Sequence, residues 1–388
     1  MEIPLRYGCN PHQGAARIVV SGETSPLEVR NGEPSYINIL DALTAWQLVR
    51  ELSAATGKVA AASYKHVSPA GAAVAGPVSE EFARSQMLDH VPTEPTAQAY
   101  VRARGADRVS SFGDAVAVSH PVGPELAAIL KREVSDCIIA PGYDRAAFDV
   151  LASKKGGRYL ILEIDPDFEP PDIERRDVFG LTLEQERNRG RIGPELFRAG
   201  DGSGPIPDDV VETLVVATTA LKYTQSNSVC VAWNGQVIGM AAGQQSRIHC
   251  TRLACAKAET WMLQTHPKVL DLPIPDGMRR PDRSNAMDQF IRWAELSEPE
   301  RHALRSTLIG DPEPITAEER REWFRGFADL SLSSDAFIPF RDNIDRAAQT
   351  GIRYVAHAGG AVREEDVRSA AREHGIILIE TGVRCFLH

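Results

Sequence analysis

Asn343-Ile-Asp-Arg-Ala-Ala-Gln349, a stop at Gly351, Ile352-Arg-Tyr-Val-Ala356, a turn at Gly359-Gly360, Glu364 to Glu373, then Ile376-Ile-Leu-Ile-Glu380: this stretch decides the fold class. It reads as helix, strand, helix, strand, and such alternation implies an α/β layered architecture. Working backward, Ser228-Val-Cys-Val-Ala-Trp233 and Gln236-Val-Ile-Gly-Met240 flank Asn234-Gly235, the strongest short hairpin signal. A helix follows from about Ile248 to Leu263, with Ser246 as cap and Arg247 in its first turn. Leu214-Val-Val-Ala217 reads as a further strand.

The first half carries the same alternation. Ala45, Leu48, Val49 and Leu52 share one helix face over 40–55, and Gly57 supplies a stop. Val59 to Tyr64 reads as a buried strand, and Ser68-Pro69 as an N-cap with proline at the first position of a helix over 70–75. Lys65 and His66 therefore fall between a strand end and a helix start. A Gly-Gly turn and Tyr159-Leu-Ile-Leu162 predict a strand, and the proline-broken 165–172 marks a boundary. The boundary divides the chain into 1–170 and 171–388. The Gly/Asp/Ser/Pro tract 199–209 is a loop whose glycines follow no strand, so it is no dinucleotide fingerprint; no P-loop occurs either. Residues 268–335 read as helical pieces between proline-rich loops.

Composition bounds the partners. The 388 residues hold 43 Lys+Arg against 53 Asp+Glu, a formal charge of −10, which argues against a chain built to hold a nucleic-acid backbone or an anionic membrane. An anionic small molecule must then be met by a locally basic pocket. No leader pattern and no run of about 18 apolar residues is present, so a cytoplasmic protein is expected, its six scattered cysteines reduced.

Several residues could carry chemistry. A lysine beside a histidine disfavours the imidazolium, so His66 suits a proton acceptor while Lys65 stabilises negative charge forming on a substrate oxygen. The same dipeptide also suits a satisfied histidine beside a solvated lysine. Arg6 with Tyr7, Arg247 and Arg384 offer guanidinium forks for phosphate or carboxylate, or are surface arginines; Asp136, Asn227 and Asp342 offer polar contacts or turns. His249-Cys250 with Cys255 lacks a zinc-ligand spacing, the zinc deaminase signature is missing, and no Gly-x-Ser-x-Gly elbow occurs.

Six segments together resemble one family. They are Leu5-Arg-Tyr-Gly-Cys-Asn-Pro-His-Gln13, Ser63-Tyr-Lys-His-Val-Ser-Pro-Ala-Gly71, Arg104-Gly-Ala-Asp-Arg-Val-Ser-Ser-Phe-Gly-Asp114, Lys222-Tyr-Thr-Gln-Ser-Asn-Ser228, Gly243-Gln-Gln-Ser-Arg-Ile-His-Cys-Thr-Arg252 and Ser333-Ser-Asp-Ala-Phe-Ile-Pro-Phe-Arg-Asp-Asn343. In order, from about residue 4 to the carboxyl end, they are similar to the formyltransferase part of the AICAR transformylase/IMP cyclohydrolase family. The resemblance implies transfer of the formyl group of 10-formyltetrahydrofolate to the 5-amino group of AICAR ribonucleotide in purine biosynthesis. It implies His66 as base, Lys65 as stabiliser of the transition state and Asn227 as an orienting group.

The nucleotide contacts implied are Arg6, Tyr7, His66, Gly113, Asp136, Asn227, Arg247 and Arg384. Ile248, Phe337, Asp342, Ala361 and Val362 are implied at the folate, Arg384 at the cleft between the ligands, and His12 nearby. The family fold is a duplicated cytidine-deaminase-like domain, three-layer α/β, without the deaminase zinc. A homodimer with sites across its interface is implied, as are no catalytic metal, no tightly bound cofactor and a structural potassium ion. Ala361-Val362 stands where relatives commonly carry a serine, and Cys9 varies within its motif. Nothing precedes the formyltransferase part, so a stand-alone enzyme relying on a separate IMP cyclohydrolase is expected. Two other readings are open: a paralogue that formylates a different amine, and a non-catalytic nucleotide-binding protein of the same fold.

Overall fold

A computed structural model describes residues 2–20, 22, 24–198 and 204–388. The chain begins with an antiparallel pair, β1 (Glu2–Leu5) and β2 (Ala16–Val19), followed by β3 (Leu27–Asn31). α1 (Tyr36–Thr56) starts at a reciprocal capping box between Ser35 and Asn38 and ends at Gly57, whose φ of 68° closes the last turn. β4 (Ala60–Lys65) and β5 (Ser68–Val74) form a hairpin. α2 (Glu80–Ser85) and α3 (Pro95–Arg104) then lead to β6 (Asp114–Val118), α4 (Pro124–Arg132), β7 (Ser135–Ala140), α5 (Arg145–Ala152) and β8 (Leu160–Ile164). An exposed hairpin of β9 (Ile173–Val178) and β10 (Leu181–Glu186) follows.

The second half repeats the order. α6 (Asp208–Lys222) precedes the hairpin of β11 (Val229–Trp233) and β12 (Gln236–Ala241), and α7 (Arg247–Leu263) follows. Four helices, α8 (Pro267–Leu270), α9 (Arg280–Ile291), α10 (Glu298–Thr307) and α11 (Ala317–Phe324), interrupt the repeat and share their own apolar cluster around Phe290 and Leu304. β13 (Ser331–Ser334), α12 (Asp342–Thr350), β14 (Tyr354–His357), α13 (Glu364–His374) and β15 (Ile377–Glu380) complete it.

Among the described residues, eleven strands form one sheet in the order β15-β14-β13-β11-β12-β5-β4-β6-β7-β8-β3. In each half a hairpin (β4–β5, β11–β12) is joined antiparallel by one strand (β6, β13), to which two parallel strands are added (β7 and β8, β14 and β15). The halves meet where β5 runs antiparallel to β12, with Ala73 opposite Gln236. Because side chains alternate along a strand, Ala60, Ala62, Tyr64, Cys230 and Ala232 face α1 and α6. Ala61, Val116 and Ile138 face α3, α4 and α5, while Val229, Val231 and Leu332 face α7, α12 and α13. The result is helix, sheet, helix in three layers.

Two equivalent glycines let the outer helices close on the hairpins. A Cβ on Gly71 would lie 2.1 Å from the Ala103 carbonyl oxygen, and one on Gly239 would lie 2.2 Å from that of Ala254.

Several local expectations are corrected. Residues 68–74 are strand β5, not a helix after an N-cap: the chain reverses through His66 and Val67, both at positive φ (54° and 57°), so Ser68 pairs back with Lys65. Alanine's helix preference over 70–73 loses to burial between β4 and β12. Pro69 has no N–H to give, and it sits at a register shift beside Tyr64. Leu214 to Ala217 belong to α6, not to a strand; a short apolar run buried on all sides does not reveal its period. Of the loop expected over 199–209, residues 199–203 lie outside the described residues, and Asp208 and Asp209 open α6. Ser246 occupies the N-cap position of α7 but makes no side-chain capping bond.

Candidate functional site

Strand directions place most of the expected site residues along one end of the sheet. β4 ends there at Lys65, while β6 and β7 begin there beside Gly113 and Asp136. β11 begins there after Asn227, β12 ends there before Arg247, and β13, β14 and β15 end there at Asp335, His357 and Glu380. They form two groups. Along the sheet β12 separates the β4–β5 hairpin from β11, and the pairing of β5 with β12 is at Ala73 and Gln236, the end away from the hairpin tip.

In the first group, Lys65 Nζ donates to the Phe112 carbonyl at 2.6 Å, tying the hairpin tip to the loop before Gly113. His66 projects exposed from the two-residue turn. Left-handed backbone at two consecutive non-glycine residues, one of them β-branched, is costly. The buried Asp41 of α1 holds it, its Oδ1 accepting from the Val67 N–H at 2.6 Å. Burial raises the Asp41 carboxyl above its ordinary range, against the pull of that N–H and of nearby His66.

Gly113, at φ 77°, leaves its Cβ position 3.6 Å from Asp136 Oδ2, and Asp136 Oδ1 meets Lys155 Nζ at 2.8 Å. Behind the loop a buried network braces it: Arg104 contacts Asp114 at 3.0 Å and donates to the Ser111 carbonyl at 2.7 Å, and Ser63 donates to Asp114 at 2.7 Å. The ends of the 104–114 segment are thus an ion pair closing the loop that carries Phe112 and Gly113.

The second group is built on Arg247, offered by the sequence as a fork for a ligand anion. In the structure its guanidinium is almost fully buried and has an internal carboxylate, Nη1 donating to Asp335 Oδ1 at 2.5 Å and to Ser334 Oγ at 2.8 Å. Nη2 donates to Asn227 Oδ1 at 2.6 Å, while Asn227 Nδ2 donates to the Gln244 carbonyl at 2.8 Å, so both ends of the amide are fixed. Asp335 also accepts from the Ser228 N–H at 2.8 Å, and its carbonyl accepts from the Cys385 N–H at 2.8 Å. That bond, with Ser226 N–H to the Leu387 carbonyl at 3.0 Å, lays the segment bearing Arg384 beside this group. The Arg384 guanidinium is exposed and stacks on Phe386, 4.9 Å from the ring centre.

Farther along the edge, Phe337 is exposed and Asp342 opens α12 beside Asn343, which Thr251 ties to α7. Ile248 is half-buried on α7. Ala361 N–H donates to Glu364 at 2.8 Å, and Val362 is fully exposed. Arg6 and Tyr7 follow β1 and are anchored by the Arg6 N–H to the Pro34 carbonyl at 3.2 Å, just ahead of α1; His12 is exposed in the turn after them. No hydrogen bond or ion pair among the described residues joins these three side chains to either group.

His357, Glu364 and Glu380 bring one ligand atom each within 4.8 Å of one another, among the described residues the one such trio. His357 Nδ1 accepts from the Ile338 N–H at 3.4 Å, which leaves the ring proton on Nε2, facing Glu364 Oε1 at 3.4 Å. Burial lowers the His357 pKa, and Arg368 already engages Glu380 at 2.6 Å. His357 Nε2 and Glu364 Oε1 are buried and have no hydrogen-bond partner among the described residues, while Glu364 Oε2 accepts from the Ala361 N–H. Cys250 donates to the Asn227 carbonyl at 3.3 Å, and burial pushes its thiol up to about 12.

Sequence reasoning missed Asp41, Lys155 and Asp335 as site residues. Asp41 was detectable: it lies four residues before Ala45 on the apolar stripe of α1, where a carboxylate needs a reason. Asp335 lay inside a quoted motif without a role.

A protein-family model described as AICARFT/IMPCHase bienzyme matches residues 1–257. The chain is 30% identical over 389 residues to the bifunctional purine biosynthesis protein PurH of Roseobacter denitrificans, covering 99% of this chain and 59% of that protein. The same-named protein of Persephonella marina is 30% identical over 392 residues, and that of Cereibacter sphaeroides (strain ATCC 17029) 29% over 389, each with the same coverage. The chain thus spans about three-fifths of the length of the curated relatives it matches.

Proposed function

The chain belongs to the AICARFT/IMPCHase bienzyme family, and on that premise we propose that it transfers a formyl group from 10-formyltetrahydrofolate to the 5-amino group of AICAR ribonucleotide, giving formyl-AICAR and tetrahydrofolate. The observation that carries the reading is the exposed Lys65-His66 turn, held by Asp41 in a strained conformation and flanked by Gly113 and Asp136. Strain sustained by a buried contact beside converging polar groups is the pattern of a working site.

In the step proposed, the amine nitrogen attacks the formyl carbon and its C=O becomes an oxyanion, which the Lys65 ammonium stabilises. His66 accepts the proton that the amine loses. The bond from carbon to N10 then breaks, and N10 leaves as tetrahydrofolate with the proton that His66 accepted. A positioned base contributes about 10²- to 10⁴-fold, the remainder coming from charge stabilisation and positioning. Asn227, clamped by Arg247, Gln244 and Gln245, keeps one acceptor lone pair on Oδ1 and orients the amine through it.

The nucleotide contacts proposed are Arg6, Tyr7, Gly113, Asp136, Arg247 and Arg384, with Arg247 acting through Asn227. Ile248, Phe337, Asp342 and the Ala361-Val362 loop take the folate. The two groups lie on either side of β12 along one edge and share no hydrogen bond or ion pair among the described residues, which suits sites completed across a homodimer. Ring closure to IMP falls to a separate active site, and potassium serves only as a structural ion. AICAR-dependent consumption of 10-formyltetrahydrofolate tests the reading; absence of turnover by the folded protein overturns it.

A further inference from the structure

Beside Lys65 a cavity of about 280 Å³ opens between the 108–112 loop and the start of α9. Five of its lining side chains are cationic, Lys65, Arg104, Arg108, Arg132 and Arg280, against a single carboxylate, Glu133. Two of the five have carboxylate partners outside the lining, Arg104 with Asp114 at 3.0 Å and Arg132 with Asp89, so with Glu133 the cluster keeps a local surplus of two positive charges in a chain of net charge −10.

The surplus is visible in the contacts. Glu133 is shared by Arg104, at 3.2 Å, and Arg280. Burial pushes the Glu133 carboxyl up, but Arg104, Arg108 and Arg280 outweigh it and hold it low. Arg108 donates only to the Ser85 carbonyl at 3.0 Å and has no carboxylate within 4 Å among the described residues. Burial lowers the Arg108 pKa to about 10; Glu133 opposes this, and Arg104 and Arg280 add repulsion. An arriving anion relieves that repulsion, and a guanidinium fork matches carboxylate or phosphate. Arg108, Val109 and Ser284 also line a second cavity of about 180 Å³.

We propose that this cavity is an anion subsite, in which Arg108, Arg132 and Arg280 hold an oxyanion-bearing end of a substrate whose reacting end lies at Lys65. The inference rests on the formyltransferase reading, which supplies two such ends: the glutamate carboxylates of the folate and the phosphate of the nucleotide. It assigns specificity to three arginines that touch no reacting atom.

The test is calorimetric binding to the intact protein of tetrahydrofolate against tetrahydropteroate, which lacks the glutamate, and of AICAR ribonucleotide against its riboside. Arg108→Gln and Arg132→Gln are compared with the unaltered chain. The subsite predicts a roughly tenfold loss of affinity per arginine for one charged ligand and none for its uncharged counterpart, with Arg108→Lys recovering only part of it, because lysine keeps the charge and loses the fork. Loss confined to tetrahydrofolate assigns the cavity to the carboxylates; loss confined to the ribonucleotide assigns it to the phosphate. Equal affinities of variants and unaltered chain for all four ligands overturn the subsite. Failure of the unaltered chain to bind any of them overturns the formyltransferase reading instead. Arg132 is half-exposed, so its replacement leaves the fold intact, and weakening of the charged ligand by added salt in the unaltered chain gives a readout that needs no variant.

Discussion

Replacing Asp41 by alanine removes the acceptor that holds the His66-Val67 turn. The lost bond is short, 2.6 Å, and lies in a nearly buried setting, so its removal costs about 1.5–3 kcal/mol. The left-handed backbone at His66 and Val67 carries about 1–2 kcal/mol of strain per residue, which then has nothing to oppose it. The turn relaxes, and because each 1.4 kcal/mol is tenfold, turnover in the AICAR-dependent formyl-transfer assay falls by about 10- to 100-fold. KM for AICAR moves little if the turn positions only the base. Asp41→Asn keeps an acceptor oxygen and restores most of the rate.

A stability readout separates positioning from general damage. The folded pKa of Asp41 lies above its unfolded value, so between the two the native state binds more protons, and Asp41's contribution to stability falls as pH rises through that window. Asp41→Asn, which does not titrate, therefore raises Tm at pH 7, and the gain shrinks as pH falls toward the ordinary carboxylate range. Full kcat in folded Asp41→Ala would refute the reasoning.

His66→Ala, at an exposed turn position, lowers turnover about 10²- to 10⁴-fold with Tm unchanged; steady-state rates and thermal melts check both halves of that statement. Arg247→Ala leaves the Asp335 carboxylate buried and unpaired at a cost of about 3–5 kcal/mol, seen as a large drop in the urea midpoint, part of which Asp335→Asn in the same chain recovers. Gly239→Ala drives a methyl group into the Ala254 carbonyl and destabilises by about 3 kcal/mol, measured by denaturant unfolding, whereas Gly57→Ala meets no atom and costs only the strain of its positive φ. Thiol alkylation of the native protein at pH 8 labels the exposed Cys9 and spares Cys250 and Cys255, whose burial lifts them to about 12 and about 11; mass spectrometry of the labelled peptides decides it.

Much of the architecture was legible in the chain. The Gly57 stop of α1, the Asn234-Gly235 turn and the helix-strand order after residue 343 are local signals, fixed by backbone preferences that act within a few residues, whereas the Ser35 capping box, ahead of the expected start at Leu40, was missed. The two misread segments, 70–75 and 214–217, are short apolar runs, and burial on every side erases the period that would tell strand from helix.

By itself, then, the sequence determined the element types wherever caps and turns speak, the six motifs that place the chain in its family, and the Lys65-His66 pair. Only the tertiary structure decided that this pair sits at a hairpin tip rather than ahead of a helix, and that Asp41, 25 residues earlier, holds it there. It also decided that Arg247 serves an internal carboxylate, and that cations from 65, 104, 108, 132 and 280 line one cavity with Glu133. The physical reason is range: caps and turns are settled by neighbours in the chain, whereas a buried charge or a strained turn is settled by whichever distant group the sheet carries alongside it.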